Sequence, residues 1–323
     1  MRIQDLHILP KFNDGWSYLY LEHCRIDQEE QAIAIHRETG KVAVPCANLS
    51  LLMLGPGVSI THAAVLVLSD HGCLIAWCGE EGVRFYASGM GETRTAANFL
   101  HQAKMWADDQ SRMQVVRRLY QLRFSEKFAP DLTLRQIRGL EGIRVREAYA
   151  KAAKETGVPW SGRNYQRNNW TKTDPVNRAL SAANACLYGI CHAAIISAGF
   201  SPTLGFIHTG RMLSFVYDVA DIYKAEITIP VAFRTAATET ESLERKVRIA
   251  CRDQFLQKRL LKRIIPDIQS ALMLSPNQVK EAELLDQDLT SPGALWDPEV
   301  GEVEAGRIQP LDPDKPKLNL PGG

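Results

Sequence analysis

The sequence has no excess of charge of either sign. Its 38 Lys and Arg residues nearly balance its 37 Asp and Glu residues, which leaves a formal net charge of +1 at pH 7. This balance gives no overall argument for nucleic-acid binding, so any such function must depend on local basic patches. The chain also lacks a stretch of about 18 uninterrupted apolar residues, so we expect no membrane span. The opening segment MRIQDLHILPKFND contains no apolar signal region.

Cysteine is sparse and is not spaced for paired ligation. There are seven cysteines, an odd number, and no two of them form a Cys-x-x-Cys pair. Cys73, Cys78, Cys186 and Cys191 lie in apolar stretches. We therefore expect buried free thiols, which fit a protein of the reducing cytoplasm.

The chain does contain enough apolar material for two globular domains. Of its 323 residues, 45% are hydrophobic, which suffices for a sizeable core. Residues 16–90 hold short aromatic and β-branched segments between turn residues, which predicts strands and one short helix. After Gly91 the apolar residues recur at helical spacing. The predicted fold class is α+β, with a small N-terminal β domain (1–92), a larger all-helical domain (93–275) and a flexible Pro- and acid-rich tail (276–323).

Helix-end signals mark two of the predicted helices. A capping box formed by Thr133 and Gln136 opens one helix, and Gly157 ends it. The dipeptide Asp174–Pro175 supplies an N-cap and a first-turn proline for the next helix, which Gly199 ends. These signals fix helix limits without any knowledge of the tertiary structure.

Two further helix boundaries are predicted nearer the C-terminal end. Ser214 is a candidate N-cap for the helix SFVYDVADIYK. Pro266 is expected to bend or break the helical stretch at 241–274, because proline removes a helical hydrogen bond.

Glu141 lies where an apolar side chain is expected. On a helical wheel it shares its face with Leu134, Ile137, Val145, Ala148 and Ala152. An ionised buried carboxylate is costly unless it is paired or bound to a metal, so two interpretations remain open. One is a salt bridge to Arg138 or Arg144, and the other is metal ligation.

Three more polar residues follow within a short stretch. His208 lies in the loop GFIHTG, where a histidine is more often a structural hydrogen-bonding residue than a ligand. Asp218 and Asp221 are three residues apart and share one face of the predicted helix. A solvated acidic face near a helix N-terminus would explain them without any ligand. Together with Glu141, however, these residues offer the carboxylates and the imidazole that suit Mg²⁺ or Mn²⁺.

Basic residues form two local groups despite the neutral total. Arg245, Arg248 and Arg252 are spaced to form a stripe along one helix face. The segment SGRNYQRNNWTK alternates basic residues such as Arg163 with aromatic residues such as Tyr165. Such groups suit the phosphates of a nucleic acid and stacking on unpaired bases. The alternative is a solvated basic face whose charges pair within the helix.

Several blocks of the sequence together resemble one family, the CRISPR-associated integrase of spacer acquisition. This is the first of the two universal adaptation proteins, and the resemblance is to its type I-E form. The blocks are GLEGIRVREAYA, CLYGICHAAIISAGFSPTLGFIHTGRMLSFVYDVADIYK, VRIACRDQF, GVRFYASG and GRNYQRNNW. The resemblance extends from about residue 16 to about residue 275, and it implies an N-terminal β domain joined to a helical domain.

The resemblance also implies the residues of the site. Glu141, His208 and Asp221 would bind Mg²⁺ or Mn²⁺, and Asp218 would be a second acidic residue that supports the same catalytic site. The residues predicted to contact DNA, from the basic groups or from the resemblance, are Arg84, Arg163, Tyr165, Tyr188, Arg245, Arg248 and Arg252. His23 stands where relatives carry a tyrosine that stacks at the fork of the captured duplex.

The activity implied by the resemblance is that of a metal-dependent DNA integrase and endonuclease. The 3′-hydroxyl of a captured DNA fragment attacks a phosphodiester at the CRISPR repeat, and water at the same site would cut branched DNA. The resemblance further implies a homodimer, a small ferredoxin-like partner that is the second adaptation protein, and a cytoplasmic location. Two rival functions remain open: a structure-specific nuclease of DNA repair, and a non-catalytic DNA-binding scaffold.

Overall fold

The structure is a computed structural model. It describes residues 18–82, 85–89, 96–124, 128–129, 131–164, 173–239, 241–279, 295–298 and 301–303. The predictions for Arg84, for Tyr165 and for most of the tail beyond residue 279 lie outside the described residues.

Strands dominate the N-terminal region. They are β1 (Leu19–Leu21), β2 (Arg25–Glu29), β3 (Ala32–Arg37), β4 (Gly40–Pro45), β5 (Leu51–Leu54), β6 (Ser59–Ile60), β7 (Leu74–Cys78) and β8 (Phe85–Gly89), with helix α1 (His62–Asp70). One sheet has the order β1-β5-β7-β8 and is parallel except for its β7–β8 pair. The other has the order β4-β3-β2-β6 and is antiparallel except for its β2–β6 pair.

Helices dominate the chain from residue 97 onward. They are α2 (Ala97–Ala107), α3 (Asp109–Phe124), α4 (Leu134–Thr156), α5 (Pro175–Ser197), α6 (Ser214–Tyr223), α7 (Ile229–Thr238), α8 (Leu243–Gln257) and α9 (Leu260–Ala271). A π-helical turn, Lys224–Thr228, joins α6 to α7. This order of elements confirms the predicted α+β class.

The segment predicted to be a flexible tail contains a short antiparallel pair of strands, β9 (Leu295–Asp297) and β10 (Gly301–Val303). This pair was not predicted from the sequence. Each strand has three residues, which is too short for an alternating apolar pattern to be recognised.

The helix-end signals of α4 and α5 fold as predicted. Thr133 Oγ1 accepts a hydrogen bond from Gln136 N, and the Gln136 side chain accepts one from Thr133 N at 2.8 Å. Gly157 follows α4 with a left-handed φ of 72°, which glycine adopts at little cost. Asp174 Oδ1 accepts from Asn177 N at 2.9 Å at the start of α5. Local side-chain chemistry therefore sets these helix limits.

The two other predicted boundaries do not lie at Ser214 and Pro266. Ser214 is the first residue inside α6, and its hydroxyl bonds to the backbone N and O of Arg211, so it closes the preceding turn. Pro266 lies inside α9. The helical stretch is interrupted instead at Arg259, whose φ is 50°. The proline removes one backbone hydrogen bond, but the packing of α9 keeps the helix continuous.

The sheet that contains β5 lies between two cores. Leu51 and Met53 face the larger core, which is centred on α5, whereas Leu52 and Leu54 face a smaller core shared with the second sheet and α1. This alternation follows from the two-residue period of a strand. Among the described helices, α5 is the one that is long and apolar enough to cross a membrane, but most of it is buried in the protein. All seven cysteines are free and buried, as predicted.

Candidate metal centre

Asp218 is enclosed by the loop that precedes its own helix. Its side chain is fully buried, and Oδ2 accepts hydrogen bonds from the backbone N of Phe206 at 2.6 Å and of Ile207 at 3.0 Å. Oδ1 accepts from His208 N at 2.9 Å and contacts His208 Nδ1 at 2.7 Å. The alternative of a solvated acidic face is therefore wrong for Asp218, which anchors the loop at 206–208.

Gly205 makes this loop geometry possible. A Cβ atom added at Gly205 would lie 2.2 Å from His208 O and 2.7 Å from Ser214 Cβ. No side chain fits in that space, so the loop can fold back on the start of α6 because residue 205 is a glycine.

His208 is oriented by Asp218. Its Nδ1 contacts the carboxylate, which leaves Nε2 as the ring nitrogen available for a ligand or a proton. The hydrogen bond to Asp218 raises the pKa of His208 above its ordinary value; burial opposes this, and the charges of Asp218 and Asp221 add to it. The side chain is 44% exposed, so solvent and substrate can reach it.

Glu141 and Asp221 meet at a single nitrogen atom. Nη1 of Arg123, on α3, donates to Glu141 Oε1 on α4 and, at 3.2 Å, to Asp221 Oδ2 on α6. The exposed fraction of the side chain is 10% for Arg123, 23% for Glu141 and 14% for Asp221. Glu141 therefore points inward, as predicted, but its ion-pair partner is Arg123 and not the predicted Arg138 or Arg144.

Lys224 adds a second cation to this cluster. Its Nζ lies 2.5 Å from Asp221 Oδ1 and 4.8 Å from the centre of the Tyr188 ring. Burial lowers the pKa of Lys224, but Asp221 and Tyr188 outweigh it, so that the pKa lies above its ordinary value. Lys224 begins the π-helical turn, a feature that often occurs at functional sites.

The carboxylate pair fits the donor set of a hard divalent cation. Mg²⁺ and Mn²⁺ prefer carboxylate oxygens, and Glu141 and Asp221 present theirs to one point. Within the described part of the chain, no three His, Cys, Asp or Glu side chains form a group that could hold one ion. The structure thus assembles two of the three predicted ligands and orients His208 without joining it to them.

Aromatic rings connect His208 to the predicted DNA-contacting Tyr188. Tyr217 lies edge-on to both, with ring centres 5.9 Å from His208 and 5.0 Å from Tyr188. Arg163 is exposed at the end of a described segment. These positions are compatible with a nucleic-acid end near the carboxylates, and the DNA contacts themselves remain predictions.

The interpretation of Arg245, Arg248 and Arg252 as one exposed stripe is wrong. Arg245 and Arg252 are exposed, but Arg248 is buried and its guanidinium lies 4.2 Å from the centre of the Tyr20 ring. Positions three residues apart on a helix differ in direction by about 60°. That rotation takes Arg248 onto the face of α8 that packs against β1.

Two cations of the site, Lys224 and Arg123, were not predicted from the sequence. Lys224 could have been found, because a lysine three residues after Asp221 is spaced for an ion pair on a helix. Arg123 carries no such signal, since it belongs to a different helix from either carboxylate. Its role is visible only once α3, α4 and α6 are packed together.

The fold and the site define an α+β protein whose helical region carries a half-buried acidic pair and an oriented histidine. The family model described as CRISPR associated protein Cas1 matches residues 17–127 and 121–269 of this sequence. The chain therefore belongs to the Cas1 family.

Relatives and solved structures agree with this membership. CRISPR-associated endonuclease Cas1 2 of Thermus thermophilus is 54% identical over 303 residues, which cover 94% of this chain and 93% of the relative. CRISPR-associated endonuclease Cas1 of Geobacter sulfurreducens is 48% identical over 260 residues, which cover 80% and 85%. A crystal structure of a TtCas1–DNA complex has a TM-score of 0.78 at 50% identity and covers 90% of this chain and 100% of that chain.

Proposed function

We propose that this protein is a divalent-metal-dependent DNA integrase and endonuclease of CRISPR adaptation. The observation that carries the proposal is the meeting of Glu141 and Asp221 at one point, from two helices that are remote in sequence. Membership of the Cas1 family supports it, because the relatives are named endonucleases and one solved relative is a DNA complex.

In this proposal Mg²⁺ or Mn²⁺ is held by Glu141 and Asp221, and His208 Nε2 completes the ligand set. When bound, the ion lowers the pKa of an attacking hydroxyl and neutralises charge that develops on the phosphate. Asp218 is a positioning residue, since it fixes the tautomer and the direction of the His208 ring.

The reaction exchanges one phosphodiester bond for another. The 3′-oxygen of the captured fragment forms a bond to phosphorus at the repeat, and the bond from that phosphorus to the leaving oxygen of the repeat breaks. The hydroxyl proton passes to solvent or to a base, and the leaving oxygen gains a proton. Water in place of the 3′-hydroxyl gives cleavage of branched DNA at the same site.

The DNA is proposed to contact Arg163, Tyr188, Arg245 and Arg252. Two further proposed contacts, Arg84 and Tyr165, lie outside the described residues. We further propose that the protein acts in the cytoplasm as a homodimer with the small second adaptation protein, and that it is of the type I-E form. The acidic pair favours an enzyme over a non-catalytic scaffold, because carboxylates repel the phosphates of DNA and a surface that only binds DNA gains nothing from them.

The first prediction tests the chemistry. Glu141→Ala and Asp221→Ala should each abolish strand transfer of a labelled DNA fragment into a repeat-bearing plasmid, in the presence of the partner protein and Mg²⁺ or Mn²⁺. Glu155→Ala is the matched control, since Glu155 is an exposed acid on the same helix as Glu141. Full transfer by purified Asp221→Ala would remove this site from the reaction. Cleavage of branched DNA without any transfer into repeats would favour the repair nuclease.

A further inference from the structure

The guanidinium of Arg123 lies where an ion shared by the two carboxylates would have to bind. Its Nη1 contacts an oxygen of Glu141 and an oxygen of Asp221. An ion that bridged the same two oxygens would need the space that this nitrogen takes. Arg123 and a divalent cation placed between these two oxygens would therefore compete for the same position.

Arg123 supplies what the carboxylates need in the absence of a metal. Glu141 and Asp221 are largely removed from water, and two such carboxylates repel each other unless a cation lies between them. Lys224 pairs with Asp221 at 2.5 Å. The guanidinium of Arg123 is thus the cation that serves both acids and keeps α4 and α6 at the spacing of the site.

Arg123 lacks the bidentate geometry that other arginines of the chain have. Arg178 holds Glu244 through two parallel bonds, Nε–Oε1 at 2.7 Å and Nη2–Oε2 at 2.9 Å. Arg123 contacts each carboxylate through Nη1, and its buried Nε has no hydrogen-bond partner among the described residues. Because a bidentate pair is the stronger arrangement, Arg123 is held in a form that a divalent ion can displace.

We propose that Arg123 is the resident counter-ion of the carboxylate pair. It preassembles Glu141 and Asp221 before the metal binds, and it competes with the metal for them. This inference rests on the proposed function, since it requires that the pair binds a divalent ion. Its consequence is that wild-type metal affinity is set below the intrinsic affinity of the two carboxylates.

The test is calorimetric titration of MnCl₂ into full-length, EDTA-treated protein at constant ionic strength. Arg123→Gln keeps hydrogen-bonding capacity but removes the charge, and it should bind Mn²⁺ about tenfold more tightly than the wild type. Its melting temperature in EDTA should fall, because the two carboxylates lose their shared cation. The matched control is Arg118→Gln, which removes an exposed arginine from the same helix and should leave the Mn²⁺ affinity unchanged.

The outcomes separate this inference from the proposed function. Equal or weaker Mn²⁺ binding by Arg123→Gln, with normal binding by the wild type, would overturn the counter-ion role and leave the metal site intact. Absence of Mn²⁺ binding by both proteins would overturn the metal site and the inference together.

A second variant keeps the inference testable where Arg123→Gln does not fold. Arg123→Lys retains a positive charge but reaches less far and offers a single ammonium, so it should give a Mn²⁺ affinity between those of the wild type and the Gln variant. Wild-type affinity in the Lys variant would contradict competition by an arginine nitrogen that reaches both acids.

Discussion

Asp218 and Asp221 look equivalent in the sequence, yet they contact different parts of the structure. A helix turns by about 100° per residue, so side chains three residues apart point about 60° away from each other. This angle lets the loop at 206–208 enclose Asp218 while Asp221 reaches Arg123. Spacing therefore identifies the face, and neighbouring elements decide what each carboxylate binds.

The second prediction concerns His192, a residue that the proposed chemistry does not use. His192 is buried on α5, and burial lowers its pKa from 6.5 to about 4. At pH 5 it therefore stays neutral in the folded protein but takes up a proton in the unfolded chain. The unfolded state binds more protons between about pH 6.5 and 4, so stability falls as the pH decreases through this window. The pKa difference corresponds to a loss of about 3 kcal/mol in the free energy of unfolding once the pH is below 4.

Replacement of His192 should remove this dependence. We expect His192→Leu to lose less unfolding free energy than the wild type between pH 7 and pH 5, as measured by urea denaturation at each pH. His36→Gln, at an exposed histidine of β3, is the control. Equal losses in the wild type and the Leu variant would show that His192 does not carry the effect.

At the scale of elements, α8 has two faces with different surroundings. Arg248 is buried against Tyr20, and its backbone carbonyl accepts a hydrogen bond from the Tyr18 hydroxyl. Arg245 and Arg252 remain on the exposed side. One arginine of α8 therefore packs against the strand region, while two others remain accessible to a polyanion.

The third prediction separates these two faces. The double variant Arg245→Ala, Arg252→Ala should weaken binding of a DNA fragment and reduce the slope of log affinity against log salt by about one to two units, because each phosphate contact releases counter-ions. Arg248→Met should lower the melting temperature and leave the salt slope unchanged. The measurement is a salt titration of fragment binding, with dimer content followed by light scattering. An unchanged slope in the double variant would take this face of α8 out of the DNA path.

At the scale of the whole molecule, the strand and helical regions share a core. Leu51 and Met53 of β5 belong to the same apolar cluster as α5. Gly189 of α5 lies at this contact, since an added Cβ would be 2.7 Å from Leu51 Cδ2 and 3.1 Å from Phe85 Cζ. The missing side chain at residue 189 lets the helix approach the sheet this closely.

The fourth prediction follows from that shared core. Gly189→Ala should destabilise the protein by about 1–3 kcal/mol, because overpacking forces side chains or backbone to shift. Since the two regions share the core, the calorimetric transition should move as one peak. Gly139→Ala is the control: this helical glycine has open space around its Cβ position, so alanine should be neutral or stabilising. A Gly189→Ala transition that splits into two would contradict cooperative unfolding of the two regions.

Features that depend on local chemistry are predictable from the residues alone. The capping box at Thr133 and the N-cap at Asp174 begin their helices as predicted, and Gly157 ends one, because each acts on backbone groups a few residues away. The inward direction of Glu141 followed from helical periodicity in the same way. Predictions from such short-range patterns hold in the folded protein, because they do not depend on any distant element.

The tertiary structure decided which distant side chains meet. Arg123 reaches Glu141 and Asp221 only because α3, α4 and α6 pack together, and Arg248 is buried only because β1 covers one face of α8. The continuity of α9 through Pro266 was likewise set by packing. Periodicity gives the direction of a side chain from its own helix axis, but the partner in that direction depends on the positions of several helices and strands, which residue spacing does not contain.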